Sequence, residues 1–491
     1  MLDLYKLTLR CGKTMLTCLA LSPASLVWSQ TAAAPAALPV GTSPAPAVTA
    51  PASLPSTAVP VAGVKEAAPH PSQALADYIA RPDESFSWKI RRKFDLPKGR
   101  GVELIMTSQT WKDIPWKHQL YLYIPQTAST KNHALFLVDG GAWKAEYEAP
   151  AENNDISVGG RTAHLLEAAN VIKAPLVILR QVPQQPIFDG KVEDEIISLT
   201  FEKYMKTGQA DWPLLLPMVK SVVRAMDTVQ KVAQEEWQQN IDKFVVTGAS
   251  KRGWTTWLTG AVEPRAVAIA PMVIDMLNLS PQMEQQLAYY GEYSEQIKDY
   301  TEKSLPKMLK TPRGRQLQQI IDPFAYKEKI TQPKLIILGT NDRYWTVDAL
   351  NLYYDELAGE TNILYVPNNG HDIQDMPRLI GTLAAFYEQA AGGVTLPKLT
   401  WKYSNGEQGL QLQVGSEPLP QKLTLWTATN KTRDFRNAQF TPTTIDNVSG
   451  LTTIKLPPPD AGYSVNYVEA TYDRQPFPCT LSTTMRVQGQ E

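Results

Sequence analysis

Three residues of this 491-residue chain are of the types that together make a strong nucleophile. Ser250 stands at the centre of KFVVTGASKRGW, residues 243–254. Asp342 lies in GTNDR, residues 339–343, and His371 in PNNGHD, residues 367–372. A serine hydroxyl near neutral pH attacks carbonyls poorly. An imidazole that takes its proton, itself oriented and stabilised as imidazolium by a carboxylate, removes that obstacle. Here each residue follows directly on a short aliphatic run, in the chain order serine, acid, histidine that brings the three together at the carboxyl ends of parallel strands. None of the other four histidines occupies such a slot. Asp275, beyond the run ending near Ile269, is the reserve acid. His118, just before an alternating strand, reads as a hydrogen-bonded structural histidine.

The elements that must position these groups follow from the pattern around them. Phe244 to Thr247 is a β-branched strand, Gly248-Ala249-Ser250 a sharp turn, and Trp254 to Leu258 the start of a helix. Such a strand-turn-helix lifts a serine hydroxyl above the sheet, and the small residue two before it lets strand and helix approach. The usual pattern G-x-S-x-G is broken, since Arg252 holds the second glycine position and Gly253 comes one later. Strands at 101–107 and 119–124 are expected as antiparallel edge strands, then buried strands at 134–138, 175–179, 266–269 (closed by Pro271), 334–338 and 362–366, with helices at 221–237 and 376–391. Strands alternating with helices predict an α/β fold with a mostly parallel sheet covered on both faces.

An oxyanion hole requires two backbone donors, and the expected pair is Lys251, directly after the serine, with Gly141 or Ala142 in the glycine-containing loop after the strand at 134–138. Trp143, Arg252, Trp254, Tyr344 and Trp345 are the expected substrate-contacting residues. For Lys251 and Arg252, surface ion pairs are the favoured reading. Residues 276–327, polar and aromatic with helical runs, lie between two late strands where a cap is usual. Their tyrosines, Tyr289, Tyr290, Tyr293 and Tyr300, read as packing ahead of pocket lining. From 394 to 491 short alternating strands, six or seven of them, predict a small β-sandwich-like region after a hydrolase-type domain at 74–393.

Composition narrows the function classes. With 48 Lys+Arg against 49 Asp+Glu, no cationic surplus favours nucleic acid or an anionic membrane. Lys6, Arg10 and Lys13 before an apolar run at 15–28, interrupted by Pro23, predict a signal peptide at 1–29 and no stable membrane span after its removal. Residues 30–73, rich in Ala, Pro, Val, Thr and Ser, predict a linker. Cleavage would remove Cys11 and Cys18 and leave Cys479 alone, so the exported chain, in the periplasm or outside the cell, would rely on its core and not on a disulfide.

The motifs together resemble the PhoPQ-activated pathogenicity-related protein family of secreted α/β-hydrolase-fold proteins. The resemblance is carried by Tyr78 with Ser85-Phe86-Ser87-Trp88, by Thr107-Ser108-Gln109-Thr110-Trp111, by Trp116-Lys117-His118-Gln119-Leu120, by Asp139-Gly140-Gly141 and by the run from Gly248 to Trp254. Asp322-Pro323, the run from Gly339 to Trp345, and Gly370-His371 complete it. It implies nucleophile, acid and base roles for Ser250, Asp342 and His371, and it implies that Arg252 is normal at its position. The expectation is an exported serine hydrolase acting on a small-molecule or peptide substrate through an acyl-enzyme, with neither metal nor organic cofactor. Ester and peptide bonds are not distinguished; a buried acid to hold a peptide amino terminus would be Glu146, Glu148 or Asp189. The alternative is a non-catalytic secreted binding or signalling protein, involved in virulence or envelope stress, whose β region contacts a glycan or protein.

Overall fold

The computed structural model describes residues 73–151, 160–406, 409–446 and 448–490. The expected signal peptide, and the linker up to residue 72, lie outside them. The described residues fall within one compact unit.

Nine strands form the central sheet: β1 (Ser87–Leu96), β2 (Gly99–Trp111), β3 (Ile114–Pro125), β4 (His133–Val138), β5 (Leu176–Leu179), β6 (Lys243–Ala249), β7 (Ala266–Met272), β8 (Lys334–Gly339) and β9 (Thr361–Val366). Their order is β1-β2-β3-β5-β4-β6-β7-β8-β9. The first three form an antiparallel meander that joins β5 antiparallel, and the rest of the sheet is parallel. This is the α/β-hydrolase arrangement, with the elbow strand β6 near the middle.

Side chains alternate between two cores, as the period of a strand demands. On β6, Phe244 and Val246 face one core and Val245 the other; on β8, Ile336 and Leu338 oppose Leu335 and Ile337. Helices Leu215–Trp237 and Lys251–Val262 cover the first face, Gly160–Ile172 and Met376–Ala390 the second.

Three expectations change. The charged segment SWKIRRKFDL forms β1, an edge strand whose polarity is met by cross-strand pairing: Arg91 and Arg92 reach Glu103 on β2 at 2.9 and 2.5 Å. Strand β7 does not stop before Pro271 but runs to Met272. It pairs with β8 only at Ile269 and Met272, so the ladder is already interrupted where the proline lacks its N–H. The helix expected at 221–237 starts at Leu215, with Pro217 in its first turn, where no intrahelical N–H bond is lost.

The cap contains helices Leu279–Tyr290, Lys298–Thr301, Leu305–Met308 and Pro312–Ile321. The C-terminal residues form eight strands: β10 (Lys398–Gly406), β11 (Gly409–Glu417), β12 (Lys422–Asn430), β13 (Thr441–Ile445), β14 (Leu451–Leu456), β15 (Gly462–Tyr472), β16 (Cys479–Ser482) and β17 (Arg486–Gln490). Strands β10-β11-β14 make one antiparallel sheet. The other runs β13-β12-β15-β16, with β17 also on β15. Between β16 and β17, Thr483 exchanges bonds with Val468 through its own N–H and its hydroxyl, at 2.9 and 3.0 Å. This region packs on the last hydrolase elements. Ser482 Oγ accepts from Tyr365 N–H at 3.1 Å, Thr480 N–H donates to Thr382 Oγ1 at 3.0 Å, and Gly381 leaves room for the carbonyl of Pro478, which would stand 2.2 Å from a Cβ.

Candidate active site

Ser250 takes φ 59° and ψ −127°, a conformation that L-residues avoid and that costs on the order of 1–3 kcal/mol. Two glycines make it possible. A Cβ on Gly248 would stand 2.7 Å from the carbonyl of Arg252, and one on Gly253 would stand 2.8 Å from that of Met272. Gly253, one residue later than usual, thus supplies the close helix-strand approach, and position 252 is released to carry a side chain. The Arg252 guanidinium turns to Glu193, and a third glycine, Gly140, accommodates it: a Cβ there would be 2.3 Å from Arg252 Nη2. Lys251 opens the following helix, so its N–H has no intrahelical acceptor and is available to an oxyanion.

Asp342 and His371 stand on adjacent loops after β8 and β9. Gly339 lets these loops touch, since a Cβ would meet the carbonyl of Gly370 at 2.2 Å. His371 Nδ1 lies 2.9 Å from Asp342 Oδ2, and Asp342 Oδ1 accepts from Tyr344 N–H at 3.0 Å. Bonding to a carboxylate puts the proton on Nδ1. The Tyr344 ring lies against the imidazole, centroids 4.2 Å apart. His371 Nε2 is buried and makes no hydrogen bond among the described residues, and His371 and Ser250 line the same pocket.

That pocket is walled mainly by apolar side chains from the cap and two flanking helices, among them Phe201, Trp254, Met283, Leu309 and Leu317. Trp345 and Tyr344 line it too. Its charged corner is neutralised internally. Lys251 Nζ is 2.8 Å from Glu193 and 3.4 Å from Asp194, and Arg252 makes two 2.8 Å bonds to Glu193. Burial works against ionising Glu193, but the bonds and charges of Arg252 and Lys251 outweigh it and hold its carboxyl well below the usual range. Tyr300 donates to Asp194 at 3.0 Å.

Several sequence-based expectations need correction. Lys251 and Arg252 are not in surface ion pairs: their side chains are 8 and 11% exposed and share a half-buried network. Trp143 and Arg252 are outside the pocket wall, Trp143 packing edge-on against Tyr147, whereas Trp254, Tyr344 and Trp345 are in it. Gly141 and Ala142 do not line it either. Glu146, Glu148 and Asp189 are exposed and hold nothing buried; the acid at the pocket is Asp194. Asp194 and Glu193 were legible only as an acidic first turn of the helix Glu193–Thr207, whose weak amphipathic contrast hides it. Of the four cap tyrosines, Tyr300 lines the pocket, while Tyr289 and Tyr290 donate to Asp348 and to the carbonyl of Trp345, and Tyr293 packs on the core. Asp275 is bonded to Tyr353 at 2.8 Å, and burial, aided by the charges of Asp342 and Asp348, pushes it up to about 8. A carboxyl protonated at neutral pH offers no anion to an imidazolium, and Asp342 holds the position beside His371. His118 is structural: its Nδ1 bonds the Arg180 carbonyl at 3.0 Å, Nε2 lies 2.9 Å from Ser108 Oγ, and burial pulls it down to about 4.

Fold and pocket together define an α/β-hydrolase-fold protein with a serine at the elbow. The model of the PhoPQ-activated pathogenicity-related protein family matches residues 75–436. Autocrine proliferation repressor protein A of Dictyostelium discoideum is 31% identical over 444 residues, which cover 82% of this chain and 86% of that protein. The chain belongs to the PhoPQ-activated pathogenicity-related protein family. Among solved structures it is similar to acetyl xylan esterase 1 from Thermoanaerobacterium sp. JW/SL YS485, at 14% identity and a TM-score of 0.43 over 62% of this chain and 88% of that one. It is also similar to a glucuronoyl esterase from Solibacter usitatus, at 13% identity and 0.40 over 66% of this chain and 92% of that one.

Proposed function

We propose that the protein is a serine hydrolase that cleaves an ester or amide carrying a bulky apolar group. The observation that carries the reading is the imidazole of His371, bonded through Nδ1 to Asp342 and without a hydrogen bond at Nε2 among the described residues, on the same pocket as the strained Ser250. In this mechanism Nε2 takes the Ser250 proton as Oγ attacks the carbonyl carbon, and Lys251 N–H stabilises the oxyanion. His371 then gives the proton to the leaving oxygen or nitrogen, and water, deprotonated in turn by Nε2, releases the acid from the acyl-enzyme. The apolar wall and the internally neutralised Glu193, Asp194, Lys251 and Arg252 favour an uncharged, hydrophobic substrate over a peptide amino terminus.

Labelling with a fluorophosphonate tests it: wild type is expected to react and Ser250→Ala not to. Label that persists in Ser250→Ala excludes the proposed nucleophile. In a series of p-nitrophenyl esters, kcat/KM is expected to rise from acetate to octanoate, by up to about fourfold per methylene; a flat series would exclude the apolar subsite.

A second reading is supported by the related Dictyostelium protein, named as a proliferation repressor: a secreted signalling protein on the same scaffold. Absence of any Ser250-dependent label would favour it. Either reading includes export, supported by the N-terminal sequence and by the family's name; among the described residues no helix is long and apolar enough to cross a membrane.

A further inference from the structure

The loop at 431–440, between β12 and β13 of the C-terminal region, reaches back over the acid and imidazole loops. Asn341, next to Asp342, donates from Nδ2 to the carbonyls of Phe435 at 3.2 Å and Ala438 at 2.7 Å, while its Oδ1 accepts from Thr340 Oγ1 at 2.8 Å. Asn368, three residues before His371, makes a reciprocal pair with Phe440: Nδ2 donates to the carbonyl at 2.9 Å and Oδ1 accepts from the N–H at 2.8 Å. Asn368 has φ 56°, a left-handed conformation that asparagine tolerates better than most residues. The two catalytic loops are also bonded to each other, through Asn341 N–H to the Asn369 carbonyl at 2.9 Å and Asn368 N–H to Thr340 Oγ1 at 2.8 Å.

The far side of the loop is anchored. Phe435 and Phe440 are each 1% exposed, and Phe440 packs against Tyr467 of β15. Arg436 extends the contact to the cap, bonding Glu295 at 2.7 Å with its guanidinium 4.0 Å from the Tyr290 ring centre. Arg343, the residue after Asp342, bonds the same Glu295 at 2.5 Å and donates to Asn437 Oδ1 at 3.0 Å.

We propose that this loop is a strap that sets the distance and orientation of Asp342 and His371, with Asn341 and Asn368 as positioning residues acting through them. The C-terminal region is on this view part of the catalytic machinery's support, in addition to any partner it has. The proposal rests on reading Ser250, Asp342 and His371 as a catalytic set. The chemistry needs it because the imidazole must serve the carboxylate and the serine at once, and small misplacements of such groups cost rate steeply.

The test uses the full chain with Asn341→Ala, Asn368→Ala and, as a destabilising control remote from the strap, Leu412→Ala in the buried face of β11. Two readouts are taken beside the melting temperature: the saturating rate and half-saturation of fluorophosphonate labelling, and the downfield proton resonance of His371 Nδ1 bonded to Asp342. Each asparagine variant is expected to lower the saturating rate about tenfold without changing half-saturation, and to shift or broaden the Nδ1 proton. Leu412→Ala should lose melting temperature and leave both unchanged. Asparagine variants that keep the wild-type Nδ1 signal, or a Leu412→Ala variant that changes it as much at equal loss of melting temperature, would overturn the strap. If wild type does not label at Ser250, the hydrolase reading falls, and the Nδ1 proton alone still decides for or against the strap.

Discussion

Ser250 and Asp275 show how differently two residues on neighbouring loops are constrained. Ser250 is held in a strained backbone by its neighbours; Asp275 is held uncharged by burial, which outweighs its hydrogen bonds from Tyr353 and the Leu350 backbone. The pH dependence of Asp275 has a definite sign. Its folded pKa, about 8, is above the unfolded value of 3.8, so the folded state binds the extra proton between them. Its contribution to stability is complete below pH 3.8 and is lost as pH rises through about 8. Asp275→Asn, which keeps shape without charge, is expected to flatten the fall in urea-unfolding free energy between pH 5 and 8, a slope of about 1 kcal/mol per unit in wild type. Identical slopes in the two proteins would mean that Asp275 is ionised in the folded state.

At the scale of elements, the elbow is a contact between β6, the helix Lys251–Val262 and the end of β7, and Gly253 is where they meet. Gly253→Ala places a methyl 2.7 Å from Ile274 Cγ2 and 2.8 Å from the Met272 carbonyl. The expected cost is about 1–3 kcal/mol, with slower labelling at Ser250. Gly450→Ala, with open space at its Cβ, is the comparison and should be nearly silent. Equal urea midpoints for the two variants would show that the helix does not need to approach so closely. The sequence exposed the elbow's hydrophobic strand and its serine, but the displaced glycine only broke the usual spacing, and its physical use was not visible. Its use depends on the backbone of Met272, far beyond the elbow motif in the chain, which no local pattern shows.

For the molecule as a whole, the C-terminal region and the hydrolase sheet share both cores. Phe435, Phe440, Tyr463 and Tyr467 belong with Phe136 and Phe244, and Leu412, Leu423 and Val468 with Leu335 and Val366. The region also covers β9, the last strand of the sheet, whose exposed edge would otherwise invite pairing with other chains. A chain ending at Gly393 is therefore expected to be recovered aggregated, or with a melting temperature far below that of the full chain. A truncated protein that is soluble, monomeric and equally stable on heating would refute the shared core.

Local order was readable in the amino-acid sequence because it rests on short-range rules: the aliphatic runs of β4, β6, β8 and β9, the turn at Ser250, and the residues Asp342 and His371 placed directly after strands. The charged strand β1 was not readable, because its acceptability comes from Glu103 across the sheet and from its place at an edge. Nor were the pairing of Arg252 with Glu193, the apolar cap pocket, or the grip of residues 435–440 on Asn341 and Asn368. The polar contacts among these join segments 59 or more positions apart, and such contacts are selected by packing and by the requirement that buried polar groups find partners, which only the folded chain satisfies.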